Sequence, residues 1–378
     1  MGWVRWGLGL LLCSLSVEVA AVADARALGR GGAGLVSGDR AYLAGNPALL
    51  ATTREGVAEL LIGGGVAVYD GDRVLDGIDS LQRDLDQLTA WQALDPALPG
   101  RIDAQLRQLS RQPVQGELGA VTAAVISRLP LALVVRNDTR LAARLHYDDR
   151  DAALLAAPLP GIEQEDMHSR MRGSGVAISE VALMGALSTE HDVLGTFHWG
   201  ATLALQDVRL LHYDARIAEF DEYDIADSRH REDRQGANLD FGVLKPLGGY
   251  ALALRGRNLV PVSYRGPEQS RYRMRPELAL GAGARWGVLQ AELDVELLPR
   301  PGYGEVVGTQ YAQAGLELGV RWLGQLRVGY RHDLQQQVVG AWTAGVGLTP
   351  FGVLNLDVAA LIGRGDSRGL ALQFGGRF

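Results

Sequence analysis

The chain has 378 residues, 47% of them hydrophobic, with 49 glycines, a single cysteine and a formal net charge of −7. One cysteine excludes intrachain disulfides and cysteine–metal clusters. The acidic balance offers no basic surface for nucleic acid, so no nucleic-acid contact is expected. Mean hydropathy is near zero, a value shared by soluble proteins and by outer-membrane barrels, whose strands alternate lipid-facing and lumen-facing residues.

In chain order, residues 1–23 read as a signal peptide. Arg5 precedes an apolar run from Leu8 to Leu15, and Ala21-Val22-Ala23 supplies the small-x-small pattern that places cleavage after Ala23. The run is too short to span a bilayer as a helix. Leu12 stands before Cys13 where a lipoprotein signal has Gly, Ala or Ser.

Next comes GRGGAG, residues 29–34, which fits the glycine spacing of a dinucleotide cradle. That chemistry needs a buried strand before the glycines and a helix after them. Here a signal peptide and ADARAL precede, and Asn46-Pro47 stops any helix that follows. The glycines therefore read as an irregular segment packed where side chains would not fit.

Residues 71–112 read as a helical insertion. Val74, Ile78, Leu81, Leu85, Leu88 and Trp91 step by three and four opposite Asp79, Arg83, Asp86 and Gln87, and Ile102, Leu106 and Leu109 continue the stripe. It is expected to cap a barrel mouth.

The rest of 51–378 shows a period of two. Leu289, Ala291, Leu293, Val295 and Leu297 alternate with Gln290, Glu292, Asp294 and Glu296; Ala312 to Trp322 alternate with Gln313, Gly315, Glu317, Gly319 and Arg321. Fourteen strands are expected, near 57–69, 116–127, 129–136, 174–188, 194–206, 236–245, 248–257, 276–286, 288–298, 310–322, 325–331, 339–349, 352–362 and 369–378. Short links such as Gly287 and Pro350-Phe351 alternate with longer ones at 70–115, 137–173, 207–235 and 258–275. That asymmetry is the one expected of periplasmic turns and outer loops. Residues 140–157 read as a strand pair rising above the membrane.

A soluble periplasmic β-protein also alternates. Three features favour a membrane barrel: a charged face flanked by glycines, including Glu277, Arg285, Glu292, Asp294, Glu296, Glu317 and Arg321; Trp286, Trp322 and Phe351 at tight turns; and a last strand ending on Phe378. The C-terminal Phe378 resembles the closing signal read by the outer-membrane assembly machinery. The fold class is therefore all-β, an antiparallel transmembrane β-barrel of about fourteen strands.

No catalytic, cofactor-binding or metal-binding residue stands out. The seven histidines are scattered, with neither H-E-x-x-H nor G-x-S-x-G spacing. The acidic runs at 146–151 and 220–233 lack the pattern of a dedicated calcium loop and read as solvated loops facing lipopolysaccharide. No enzyme activity and no cofactor are expected.

The stretch ARALGRGGAG followed by GNPALLA resembles the N-terminal signature of FadL-like outer-membrane proteins. IDSLQRDL, LDFGVLKPL with LALRGRNLVP, GTQYAQAGLELG, LRVGYRHDL and TPFGVLNLDVAALIG resemble the conjugal transfer TraF family within that superfamily. The thioredoxin-like TraF is a different protein, and the missing cysteines set this chain apart from it. The resemblance implies an outer-membrane barrel with residues 24–50 as a plug inside it, Asn46, Pro47 and Ala48 being the plug motif. It implies a non-enzymatic envelope component of plasmid transfer; the alternative is a passive channel for hydrophobic small molecules. The expected partners are outer-membrane lipid and lipopolysaccharide, the assembly machinery, and either hydrophobic small molecules or other envelope transfer proteins. Mixed charge on the lumen face argues against a greasy conduit and suits ion pairs to a polar plug.

Overall fold

The computed structural model describes residues 23–37, 45–52, 58–91, 95–126, 130–156, 164–219, 227–320 and 324–377. The expected signal residues before Ala23, Arg321, Trp322 and Phe378 lie outside them.

Fourteen antiparallel strands close on themselves. They are β1 (Glu59–Tyr69), β2 (Val114–Ile126), β3 (Leu131–His146), β4 (Arg170–His191), β5 (Gly195–Arg216), β6 (Arg231–Leu247), β7 (Tyr250–Arg257), β10 (Glu277–Trp286), β11 (Leu289–Glu296), β12 (Tyr311–Val320), β13 (Gly324–Asp333), β14 (Ala341–Leu348), β15 (Leu354–Gly363) and β16 (Arg368–Arg377). Two more, β8 (Val262–Arg265) and β9 (Arg271–Met274), form a separate hairpin between β7 and β10. Closure is made by β1 against β16, with Ile62 opposite Phe374 and Val66 opposite Leu370. No barrel strand keeps an open edge, which a bilayer requires because nothing there can bond a free N–H or C=O.

The burial pattern inverts that of a soluble protein. In β11, Gln290, Glu292, Asp294 and Glu296 are buried while Leu289 and Leu293 are exposed. In β14, Trp342, Val346 and Leu348 face out, and Ala341 and Thr343 face in. Apolar side chains on the outside are stable only against lipid. Aromatics mark the ends of this band: Trp286 and Tyr250 meet edge-on at 6.3 Å beside the short turns, and the tilted rings of Tyr330 and Trp342 lie 4.9 Å apart toward the other rim. The short turns rely on positive φ at Gly248 (68°) and Gly287 (58°), a backbone that glycine adopts without strain.

The wall is taller on one side than its sequence pattern suggests. β3 to β6 run 16, 22, 22 and 17 residues, against roughly 9–11 needed to cross the bilayer. Their upper halves are joined by cross-strand charges rather than apolar alternation. Arg170 and Arg172 both donate to Asp214, at 2.6 and 3.0 Å, and Arg209 reaches Asp233 at 2.9 Å. The segments 137–173, 207–235 and 258–275, read as loops, thus contain strand. Residues 140–157 are not a strand pair. Their first part completes β3, and a short helix follows at Asp149–Leu155, its first turn capped by the Asp148 carboxylate accepting from Arg150 N at 3.0 Å.

Among the described residues, four α-helices accompany the barrel: α1 (Ala25–Leu28), α2 (Val74–Trp91), α3 (Leu98–Leu109) and α4 (Asp149–Leu155). Val74, Ile78, Leu81 and Leu85 of α2 pack on Ile102, Leu106 and Leu109 of α3. The same cluster takes in Val114 and Leu145 from the wall, so the pair is seated on the barrel mouth by apolar burial.

Candidate functional site

The lumen is occupied by the chain's own N-terminal segment, described over two stretches, 23–37 and 45–52. The first begins at α1, whose N-cap Asp24 accepts from Ala27 N at 2.8 Å. This places Arg26 and Arg30 against opposite charges on the wall. Arg26 donates two hydrogen bonds to Glu317, at 2.9 and 2.7 Å. Glu317 also accepts from Arg327 at 2.8 Å, and Arg327 continues to Asp357 at 2.5 Å. Arg30, 1% exposed, donates to Glu292 at 3.2 Å.

Backbone groups are held as well. Gly34 N and Leu35 N donate to one oxygen of Asp294, at 2.7 and 3.0 Å, Val36 N donates to Glu292 at 2.8 Å, and Gly31 N donates to the Thr343 hydroxyl at 2.8 Å. An irregular strand of chain with no ladder partner leaves its N–H groups orphaned, and wall carboxylates satisfy them here.

The second piece contains the predicted motif. Asn46 is fully buried; its Nδ2 donates to Leu35 O at 2.8 Å and its Oδ1 accepts from Ala48 N at 3.1 Å. One side chain thereby ties the two pieces together. Pro47 opens a 3-10 turn, Pro47–Thr52, whose Ala48, Leu49 and Leu50 pack among Val121, Val125, Val134, Met184 and Leu244. Ala23 is buried in the same cluster.

The fit depends on glycines in the wall. A Cβ at Gly315 or Gly329 would collide with the Arg30 backbone, and one at Gly200 or Gly242 would collide with Pro47 or Asn46. The sequence pattern placed these glycines on strands but gave no sign that they were seats.

Higher in the lumen, Glu117 gathers Arg331, Tyr69 and Tyr311, with contacts of 3.1 to 3.3 Å. Arg136 pairs with both Glu180 and Asp240. A cavity of about 100 Å³ lies between this layer and the N-terminal segment, lined by Asp24, Gly32, Arg136, Arg257, Asp294 and Arg300 among others. Its lining mixes these charges with apolar side chains such as Leu28, Leu35 and Val121, and its volume has room for a few water molecules at most.

Of the wall charges expected to face inward, Glu292, Asp294, Glu296 and Glu317 do so and are buried; Arg285 lies exposed at the rim, bonded to Gln290 at 3.0 Å. Sequence reasoning missed Arg26, Arg30, Arg136, Arg327 and Arg331. Their signal was available only as charges at alternate strand positions, or within a glycine-rich run, with no indication of partners.

The mouth is crossed by the connection between β11 and β12. Gln115 donates to Glu305 O at 3.0 Å, His146 lies 2.8 Å from the Glu305 carboxylate, and Arg140 donates to Pro301 O at 3.1 Å, all from the opposite wall. Under this strap, Ser174, His212 and Glu268 line up at 3.4 and 3.7 Å. Ser174 has no exposure, so the row offers a substrate no access. Among the described residues no group of three His, Asp or Glu side chains is arranged to hold a metal ion.

Solved structures with this fold include the toluene transporter TbuX of Ralstonia pickettii, at TM-score 0.57 and 10% identity, covering 96% of this chain and 99% of that one. The Pseudomonas putida toluene transporter TodX follows at TM-score 0.50 and 11% identity, covering 96% and 98%. These likenesses establish an outer-membrane type of barrel and nothing of cargo. No curated protein matches the sequence. A family model described as "F plasmid transfer operon, TraF, protein" matches residues 43–296, well over half of the chain. The chain therefore belongs to that TraF family, carried on a FadL-like, fourteen-stranded barrel.

Proposed function

We propose that the protein is a non-enzymatic outer-membrane component of plasmid transfer whose barrel is held shut by residues 24–50 acting as a plug. The observation that carries the closed state is the fastening of Arg26, Arg30 and the 34–36 backbone to Glu317, Glu292 and Asp294. Charge pairs withdrawn from water this completely are costly to break, because each partner is left uncompensated in a poor solvent. A conduit for apolar cargo would have to break them. The family description supplies the link to plasmid transfer. In this reading Ala23 is the signal-cleavage residue and Phe378 the group that the assembly machinery reads. The barrel's neighbours are outer-membrane lipid, lipopolysaccharide and other envelope transfer proteins.

A second reading, a passive channel for hydrophobic small molecules, has one observation in its favour. The wall from β1 to β7 is apolar at the level of Leu49 and Leu50, so displacing that turn would expose an oily path. Deletion of the gene from donor cells separates the two. Reduced mating with unchanged uptake of hydrophobic substrates supports the transfer role, and normal mating with lost uptake overturns it in favour of the channel.

A further inference from the structure

The segment fastened in the lumen is a charged body standing inside the membrane. Residues 24–50 carry three arginines and two aspartates, a net side-chain charge of +1. Their partners Glu292, Asp294 and Glu317 lie on β11 and β12 and stay with the wall. Arg30 sets the depth. Its backbone packs against Gly315, near the middle of β12, and Gly329, near the middle of β13. Glu292, which accepts from the Arg30 guanidinium, stands directly across from Gly315 in the β11–β12 ladder. Beside those glycines the outer wall turns Leu316 and Val328 to lipid, so this ion pair lies near the middle of the apolar band.

The chain itself sets the direction in which that body can leave. Its last turn ends at Thr52, and β1 follows from Glu59. Glu59 pairs with Arg377 at the end of β16 and with Val125 beside the β2–β3 turn. That is the end of the short turns, which outer-membrane barrels keep on the periplasmic side. The opposite mouth is crossed by the β11–β12 strap, held across the lumen by Gln115, Arg140 and His146. A segment tethered below and covered above unseats toward the periplasm, and its charges then travel from mid-membrane to periplasmic water.

We propose that residues 24–50 are a voltage-responsive closure. A potential negative on the periplasmic side draws the cationic segment out of the lumen, and the opposite polarity holds it in. Where an occupied lumen interrupts the ionic path, an applied potential falls across the occupied length, and fixed charges there feel it. One elementary charge moved through half of a roughly 100 mV drop shifts an equilibrium about sevenfold. The wall carboxylates do not move, so they set how firmly the segment is seated and leave its response to polarity unchanged. This inference rests on the reading of the segment as the barrel's plug and adds what would regulate it.

The test records single barrels of the full-length protein in planar bilayers at both polarities, beside a protein lacking residues 24–52. Asp192→Cys, in the exposed β4–β5 turn, reports which chamber faces the periplasm, through the change in current when a bulky thiol reagent is added there. Wild type is expected to open about sevenfold more often for each 100 mV of periplasm-negative potential. Arg30→Gln makes the segment neutral, so its openings, although more frequent, should be equally so at both polarities. Glu292→Gln breaks the same ion pair from the wall side and should keep the wild-type dependence on polarity, which separates a moving charge from a structural contact. Heat-modifiable gel mobility checks that each variant is a folded barrel; if Arg30→Gln is not, Arg26→Gln carries the same comparison. The proposal is overturned if wild type opens alike at both polarities or more often at the opposite one, or if the neutral variant keeps the dependence. It is equally overturned if the deletion protein shows that dependence with no segment to move. A deletion protein that does not conduct, or a wild type that conducts like it, removes the plug reading and this inference together, whereas a conducting deletion beside a polarity-blind wild type removes the voltage response alone.

Discussion

At the scale of single residues, the interior is an arrangement of seats and fasteners. Asn46, Pro47 and Ala48 could be singled out from sequence because an Asn-Pro pair breaks any helix and a known family carries the same letters. What they sit on could not. Gly200 and Gly242 are lumen-facing strand positions like many others, and only the approach of the Asn46 and Pro47 atoms gives them a role. This makes a sharp prediction. Gly242→Val puts a branched side chain where Asn46 Oδ1 and the Pro47 ring now lie, and overpacking of that kind costs about 1–3 kcal/mol. The Asn46–Leu35 tether should loosen, and with it the first piece. Limited trypsin digestion followed by mass spectrometry reads the outcome: Arg26 and Arg30, buried in the native protein, should become cleavage sites. Wild-type protection in the variant would mean that the seat does not hold the segment. Glu317→Gln should act more strongly, because Glu317 serves Arg26 and Arg327 together. Leaving a buried guanidinium unpaired costs roughly 3–5 kcal/mol.

At the scale of elements, legibility followed the solvent. Where lipid touches a strand, one face must be apolar, and the period of two is plain; every barrel strand was readable for this reason. Above the bilayer the same strands need only pair with one another. Arg170, Arg172 and Asp214, or Arg209 and Asp233, hold them without any apolar alternation, so the upper halves of β4, β5 and β6 look like loop. The β8–β9 hairpin was hidden similarly, its four-residue strands being too short for a pattern to accumulate. The docking of α3 rests on a contact with its own pH signature. Tyr147 donates to Asp103 at 2.5 Å beneath the Arg107 guanidinium, 4.5 Å from the ring. Partial burial, then the neighbouring carboxylate, push the Tyr147 phenol up to about 12. The Tyr147 hydrogen bond holds the Asp103 carboxyl below its usual range. A raised phenol favours the docked state fully below its ordinary value near 10 and loses that contribution as pH climbs through about 12. For Asp103 the contribution is present above the ordinary carboxylate value and fades as pH falls through the lowered one. The difference in tyrosinate absorbance between wild type and Tyr147→Phe isolates this one phenol. A midpoint near 12 is expected, and an ordinary midpoint would show that helix and wall are not joined there.

At the scale of the whole molecule, the proposed closed state sets a fourteen-stranded barrel against a segment fastened inside it. Deleting residues 24–52 removes the fasteners and the occupant together, so purified deletion protein in planar bilayers should show steady ohmic conductance while wild type stays closed. Deletion alone does not prove that the charge pairs set the balance, because any missing mass opens a hole. Glu292→Gln makes that distinction. The amide oxygen can still accept from Val36 N, leaving the segment's backbone contact in place, while the attraction for Arg30 at 3.2 Å is lost. Hydrogen bonds to charged groups contribute about 1.5–3 kcal/mol, which corresponds to a rise in open fraction of roughly 10- to 100-fold. Brief openings should therefore become frequent in Glu292→Gln, at the amplitude of the deletion protein but with wild-type closures between them. If the variant were as silent as wild type while the deletion conducted, shape rather than charge would be holding the segment. If wild type conducted like the deletion, the segment would not close the barrel at all, and the channel reading would replace the one proposed here.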